Sequence, residues 1–171
     1  PRPKASATAF AGLRDIDAGI ALLNQCQAAS GGNVIAFELM PKSIIENVLD
    51  FYPDCQPPLK DVPPFSALIE IASTADADSN PDADGTMPLV ALLTQTLANA
   101  FEDGLISDAT IAQHQAQRDA LWAIRELTPE SEIKAGKAYK SDISIPLRHM
   151  AAFYETTTKA VHAIVPNTRI F

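Results

Sequence analysis

Arg118, Trp122 and Arg125 stand at i, i+4 and i+7 on a helix that the pattern predicts from about Asp108 to Glu126. Lys140 follows fifteen residues after Arg125. An arginine fork holds a carboxylate through two parallel hydrogen bonds, and a nearby lysine can take the remaining oxygens or a hydroxyl. Together they could recognise an anion. Each residue also has a plainer role. Arg125, in the last helical turn, can neutralise the helix C-terminus and lay its stem over Trp122. Lys140 can be an exposed strand cation or the partner of Asp142. The residue pattern leaves these readings open.

Other candidates fall away on spacing. In "TADADSNPDADG" (74–85), Asp76, Asp78 and Asn80 alternate as an EF-hand loop requires. Pro81, however, stands where the sharp turn needs glycine, and Met87 where the bidentate glutamate belongs, so a solvated acidic loop is expected. His114, His149 and His162 have no second histidine at i+3 or i+4 and no cysteine at metal-site spacing. The sequence contains no glycine-rich phosphate loop, no GxSxG and no Cys/His pairing. No self-contained catalytic or metal site is therefore expected.

The elements that would position Arg125 and Lys140 read in order. "SATAFAG" (6–12) is a strand. A helix capped by Asp15 or Asp17 carries Ile16, Ile20, Leu23 and Cys26 and stops at Gly31-Gly32. "NVIAFELM" (33–40) is a nearly continuous apolar run with one acid, Glu38, as in a strand buried on both faces. Pro41 starts a helix, a proline-rich loop covers 50–64, and "FSALIEIAS" (65–73) is a strand with Phe65, Ala67, Ile69 and Ile71 on one side. Thr86 caps a helix with Leu89, Leu93, Thr96, Leu97 and Ala100 on one face and Gly104 as its stop. After the 108–126 helix come a strand within 135–145, a helix started by Ser144 and Pro146, and the start of a strand at "TRIF" (168–171). The order β-α-β-α-β-α-α-β-α-β predicts an α+β fold, a ferredoxin-like sandwich with a mostly antiparallel sheet and helices packed on it.

Composition narrows the partners. The chain has 171 residues, 47% hydrophobic and 20% charged, with net charge -8. That length suits a single domain, and the acidic balance argues against nucleic acid or an anionic membrane surface as the main partner. No segment is long enough for a membrane span. Two cysteines without a CxxC framework fit a reducing compartment, so a cytoplasmic location is expected. The start at "PRPK" and the end at "NTRIF" read as cuts from a longer protein.

"FELM" (37–40), "LWAIRE" (121–126) and "YKSDISIP" (139–146) together resemble the substrate (cap) domain of FAD-linked oxidases and dehydrogenases of the vanillyl-alcohol oxidase superfamily. Within it, the chain resembles the D-lactate / D-2-hydroxyglutarate / glycolate oxidase subunit group. The resemblance extends over nearly all of the chain, and "PRP" resembles the exit from that family's FAD domain. It implies that Arg125 and Lys140 bind the carboxylate of a small 2-hydroxy acid, whose C2 gives a hydride to FAD held by the longer parent. It also implies that the fragment alone has no activity, and that a histidine-rich segment beyond residue 171 could bring a divalent metal in the parent. Ser141 replaces the usual tyrosine, and Pro129 stands where some members carry a threonine near the substrate. The contrasting class is a non-enzymatic ferredoxin-like binding or oligomerisation module, with Arg125 and Lys140 as surface or interface charges; a homodimer is compatible with either.

Overall fold

The computed structural model describes residues 3–170. Alternation along two strands organises it. In β1 (Ala5–Leu13), Ala7, Ala9, Ala11 and Leu13 point to one face of the sheet and Thr8 and Phe10 to the other. In β3 (Phe65–Ser73), Ala67, Ile69 and Ile71 share the first face, while Leu68 and Glu70 share the second. Both strands are buried on both faces and pair antiparallel in the middle of the sheet. β2 (Val34–Pro41) and β4 (Ile106–Ile111) form the edges, giving the order β2-β3-β1-β4 with every pair antiparallel. This is the ferredoxin-like arrangement expected from the sequence, with one helix inserted between β2 and β3.

The first face is covered by α1 (Ile16–Ala29) and α3 (Pro88–Glu102). Asp15 caps α1 by accepting from the Ala18 amide at 2.7 Å, worth about 1 kcal/mol. Gly19 lets this helix approach closely, because a Cβ there would lie 3.0 Å from Leu39 Cδ1 and 3.3 Å from Leu13 Cδ1. α3 buries the face read from its periodicity, Leu89, Leu93, Thr96, Leu97 and Ala100, though Met87 rather than Thr86 is its N-cap. Each fully buried Leu or Ile here contributes roughly 1.5–3 kcal/mol.

The second face is covered by α2 (Lys42–Phe51) and α4 (Gln115–Glu126), which bury Ile45, Val48, Leu121 and Ile124 against Phe10, Met40 and Leu68. α5 (Thr128–Ala135) is pinned to α2 through Asn47 Nδ2, which donates to Ser131 Oγ at 2.9 Å with both residues fully buried. α6 (Met150–Ile164) follows a short 3-10 turn, Leu147–His149, and buries no residue completely. Its Tyr154 meets Phe65 edge to face, ring centres 5.4 Å apart.

Several expectations are corrected. β2 is an edge strand, half-buried with Ile35 exposed, and not a strand covered on both faces. Residues 106–111 form β4 rather than the beginning of a helix, so α4 starts at Gln115. α5 was not foreseen. The segment 136–146 is irregular and pairs with no described strand, so the strand expected within 135–145 is absent from the sheet. Thr168–Ile170 are likewise outside regular structure. Pro1 and Arg2 of "PRP" and Phe171 of "TRIF" lie outside the described residues.

Candidate functional site

β3 places a carboxylate where its neighbours are apolar. Glu70 stands between Ile69 and Ile71, and the pleat turns it toward α4. It is 4% exposed, and four hydrogen bonds compensate the burial. Thr8, its cross-strand partner on β1, donates Oγ1 to Oε2 at 2.9 Å. Arg118 donates Nε to Oε2 at 3.0 Å and Nη2 to Oε1 at 2.9 Å, a two-pronged grip. Trp122 donates its indole N–H to Oε2 at 2.7 Å. Burial pushes the Glu70 carboxyl up, but the hydrogen bonds from Arg118, Trp122 and Thr8 outweigh it and hold the group below the usual glutamate range. The same contact with Glu70 raises the Arg118 guanidinium above its ordinary value. The Arg118 guanidinium also lies 5.8 Å from the Trp122 ring centre. Arg118 thus has its side edge filled by the protein's own acid and clamps α4 to the sheet.

Two turns along the same side of α4, Arg125 is in a different state. Its Nε donates to Glu38 Oε2 on β2 at 2.9 Å, and the two side chains are 41% and 36% exposed. Nη1 and Nη2 have no hydrogen-bond partner among the described residues. It is Arg118, and not Arg125, that lies over Trp122. Lys140 sits in the irregular segment 136–146, where its Nζ lies 2.5 Å from Glu132 Oε2 in the middle of α5; Asp142 is not its ion-pair partner. Lys140 and Ser141 line an open cleft of about 620 Å³ walled by 135–142, by Thr157 and Val161 of α6, and by Thr168–Ile170. Arg125 is not part of that lining. Within this chain the two cations therefore answer separate carboxylates and are not gathered into one recess. Pro129 is exposed in the first turn of α5, away from the cleft lining.

The acids that meet the arginines were not singled out in the sequence as their partners. Glu70 had a signal, being the one charged residue in its strand, with parity opposite to Ile69 and Ile71. Glu38 had the same signal within "NVIAFELM".

The acidic loop carries a short 3-10 turn, Asp76–Ser79, and Asp76 pairs with Lys4. Among the described residues no group of three or more His, Cys, Asp or Glu is placed to hold a metal, and no helix is long and apolar enough to cross a membrane. The apolar recess bounded by Phe10, Ile45, Leu59 and Ser66 is a packing gap, and the Lys140 cleft is open, with a mixed polar and apolar lining. Neither has the enclosed, mostly apolar shape of a dinucleotide site, so neither fits a flavin on its own.

Comparison with known proteins adds what the geometry leaves open. The family model described as "FAD linked oxidases, C-terminal domain" matches residues 2–168. The chain is 31% identical over 142 residues to "Probable D-2-hydroxyglutarate dehydrogenase, mitochondrial" of Oryza sativa subsp. japonica, covering 83% of this chain and 24% of that protein. It is 29% identical over 150 residues to the mitochondrial D-2-hydroxyglutarate dehydrogenase of Rattus norvegicus, covering 88% and 26%. To a D-2-hydroxyglutarate–pyruvate transhydrogenase of Saccharomyces cerevisiae it is 26% identical over 162 residues, covering 95% and 31%. The chain thus spans about a quarter of the length of the first of these relatives. The rice and rat names place those proteins in mitochondria, which overturns the cytoplasmic location expected from the cysteine usage. Two free cysteines report a reducing environment and not a particular compartment.

Proposed function

The chain belongs to the C-terminal domain family of FAD-linked oxidases, and from that membership we propose that it is the substrate-facing domain of a longer FAD-dependent dehydrogenase acting on small D-2-hydroxy acids. By itself the domain is inactive. The longer protein works in mitochondria, as the names of the rice and rat relatives say of those proteins. In such an enzyme the flavin accepts a hydride from the carbon that carries the hydroxyl. This chain's own part is binding and orientation. Arg125 holds the substrate carboxylate, and Lys140 takes a second oxygen once the rest of the enzyme closes the space between them.

The observation that carries this reading is the state of Arg125. A guanidinium offers two paired-donor edges, and only one nitrogen of one edge is engaged, by Glu38. The outer edge is open to a planar anion. Arg118, seven residues earlier, differs because Glu70 takes its side edge from both oxygens.

The test uses the full-length gene product. Anaerobic addition of D-lactate or D-2-hydroxyglutarate should bleach the flavin, and the L-isomers should not. Arg125→Ala should raise KM by roughly 30–100-fold, the equivalent of losing about 2–3 kcal/mol of charge-assisted hydrogen bonding; Lys140→Ala should give a smaller rise. An unchanged KM in Arg125→Ala would remove the carboxylate role. A colourless full-length protein would favour a ferredoxin-like binding module instead.

A further inference from the structure

We propose that Glu38 is a positioning residue for the substrate anion: it holds Arg125 by Nε so that the Nη1/Nη2 edge is presented, already ordered, to the ligand carboxylate. The inference rests on the carboxylate role of Arg125 stated above. Three observations carry it. Glu38 reaches Arg125 with one oxygen, at Nε, 2.9 Å away. Nε belongs to the side edge, so this contact restrains the rotation of the guanidinium without covering its end. Secondly, the backbone of Glu38 is fixed by the sheet, because it pairs with Leu68 of β3, and its side chain leaves the same face as Met40, which is buried in the α4-side core. Thirdly, α4 itself cannot roll, because Arg118 and Trp122 both bond the buried Glu70 two turns and one turn before Arg125. The backbone of Arg125 is therefore set by Glu70, and its side chain by Glu38.

A free arginine side chain carries about 2 kcal/mol of rotamer entropy, which a ligand would otherwise have to remove on binding. Ordering it beforehand improves affinity without adding a contact to the ligand. The opposing effect is electrostatic: Glu38 is itself an anion beside the incoming carboxylate and lowers the positive potential there. The two effects predict opposite results when Glu38 is removed, which makes the inference decidable.

The experiment uses the flavin-loaded full-length enzyme and 2-oxoglutarate, a dicarboxylate with no hydride to give, titrated by calorimetry beside steady-state kinetics. Glu38→Ala is expected to weaken 2-oxoglutarate binding and raise KM by roughly tenfold, with kcat within about twofold. Glu38→Gln keeps an oxygen acceptor for Nε and should recover most of the loss. Glu38→Asp keeps the charge but withdraws it by one methylene, and should behave like the alanine variant; it also serves if Glu38→Ala does not fold. Binding as tight as or tighter than wild type in both Glu38→Ala and Glu38→Asp, with Arg125→Ala still impaired, would overturn the inference and make Glu38 a competitor of the ligand. Normal 2-oxoglutarate binding in Arg125→Ala would overturn the carboxylate role of Arg125 first, and the inference with it.

Discussion

Removing the Glu70 carboxylate should be the most damaging single polar change in this domain. Glu70→Ala leaves three donor groups facing a void: the side edge of Arg118, the Trp122 indole N–H and the Thr8 hydroxyl. Breaking a buried ion pair by deleting one partner costs about 3–5 kcal/mol. The lower end applies, because the Arg118 side chain is 33% exposed and can rehydrate. A loss of about 3 kcal/mol lowers the melting temperature of a chain this size by roughly 6–12 °C. Glu70→Gln keeps the shape but turns an amide NH2 toward donors or leaves one oxygen where two accepted, so about 2 kcal/mol is expected. The pH dependence has a definite sign. The folded carboxyl lies below the ordinary value, so its stabilisation is complete above the unfolded pKa of about 4.3 and is lost as pH falls through the folded pKa. The gap between wild type and Glu70→Gln should therefore be constant from pH 7 to 5 and narrow below about pH 4. Urea unfolding followed by circular dichroism measures both quantities. A loss under about 1 kcal/mol at pH 7, or a gap that does not change down to pH 3, would refute the account of Glu70 as an ionised, fully bonded clamp.

Two further outcomes follow from local geometry. Burial pushes the Cys26 thiol up to about 11, so at pH 8 a chromogenic thiol reagent should label half-buried Cys55 first and reach Cys26 only as the protein unfolds; simultaneous labelling would contradict that burial. Gly104 ends α3 at φ 69 with nothing within 4 Å of where a Cβ would stand, so Gly104→Ala should lose about 1 kcal/mol from backbone conformation alone, read as a shift in the urea midpoint without a change in slope.

What could be read from the sequence was governed by period and range. The buried face of α3 was legible because five residues repeat at helical spacing and pack locally. The ferredoxin-like order was legible because β3 alternates, β2 is a compact apolar run, and α1 between β1 and β2 carries helical spacing, although its buried face holds Leu22 rather than Ile20 and Leu23. β4 was not: Ser107 and Asp108 are exposed on an edge strand, so "ISDATI" resembles a capped helix start more than a half-buried strand. β2 misled in the other direction, since its apolar run reads as a strand buried on both faces, whereas it is a half-buried edge strand paired only with β3. At the site, the arginine–tryptophan side of α4 was visible at i, i+4, i+7, yet its partners were not. Glu70 is 48 residues before Arg118 and Glu38 is 87 before Arg125, and no local pattern links positions so far apart.

The sheet keeps two helical layers apart. α1 and α3 pack on an apolar face through Leu22, Leu93 and Leu97, whereas the opposite face carries Glu38, Glu70 and the arginines of α4. Among the described residues the buried side chains of the two layers fall into separate clusters, so the free-energy changes of paired substitutions, one from each layer, should sum to within a few tenths of a kcal/mol. One layer can then drift or be redesigned for thermal resistance while the other is retuned for a different ligand.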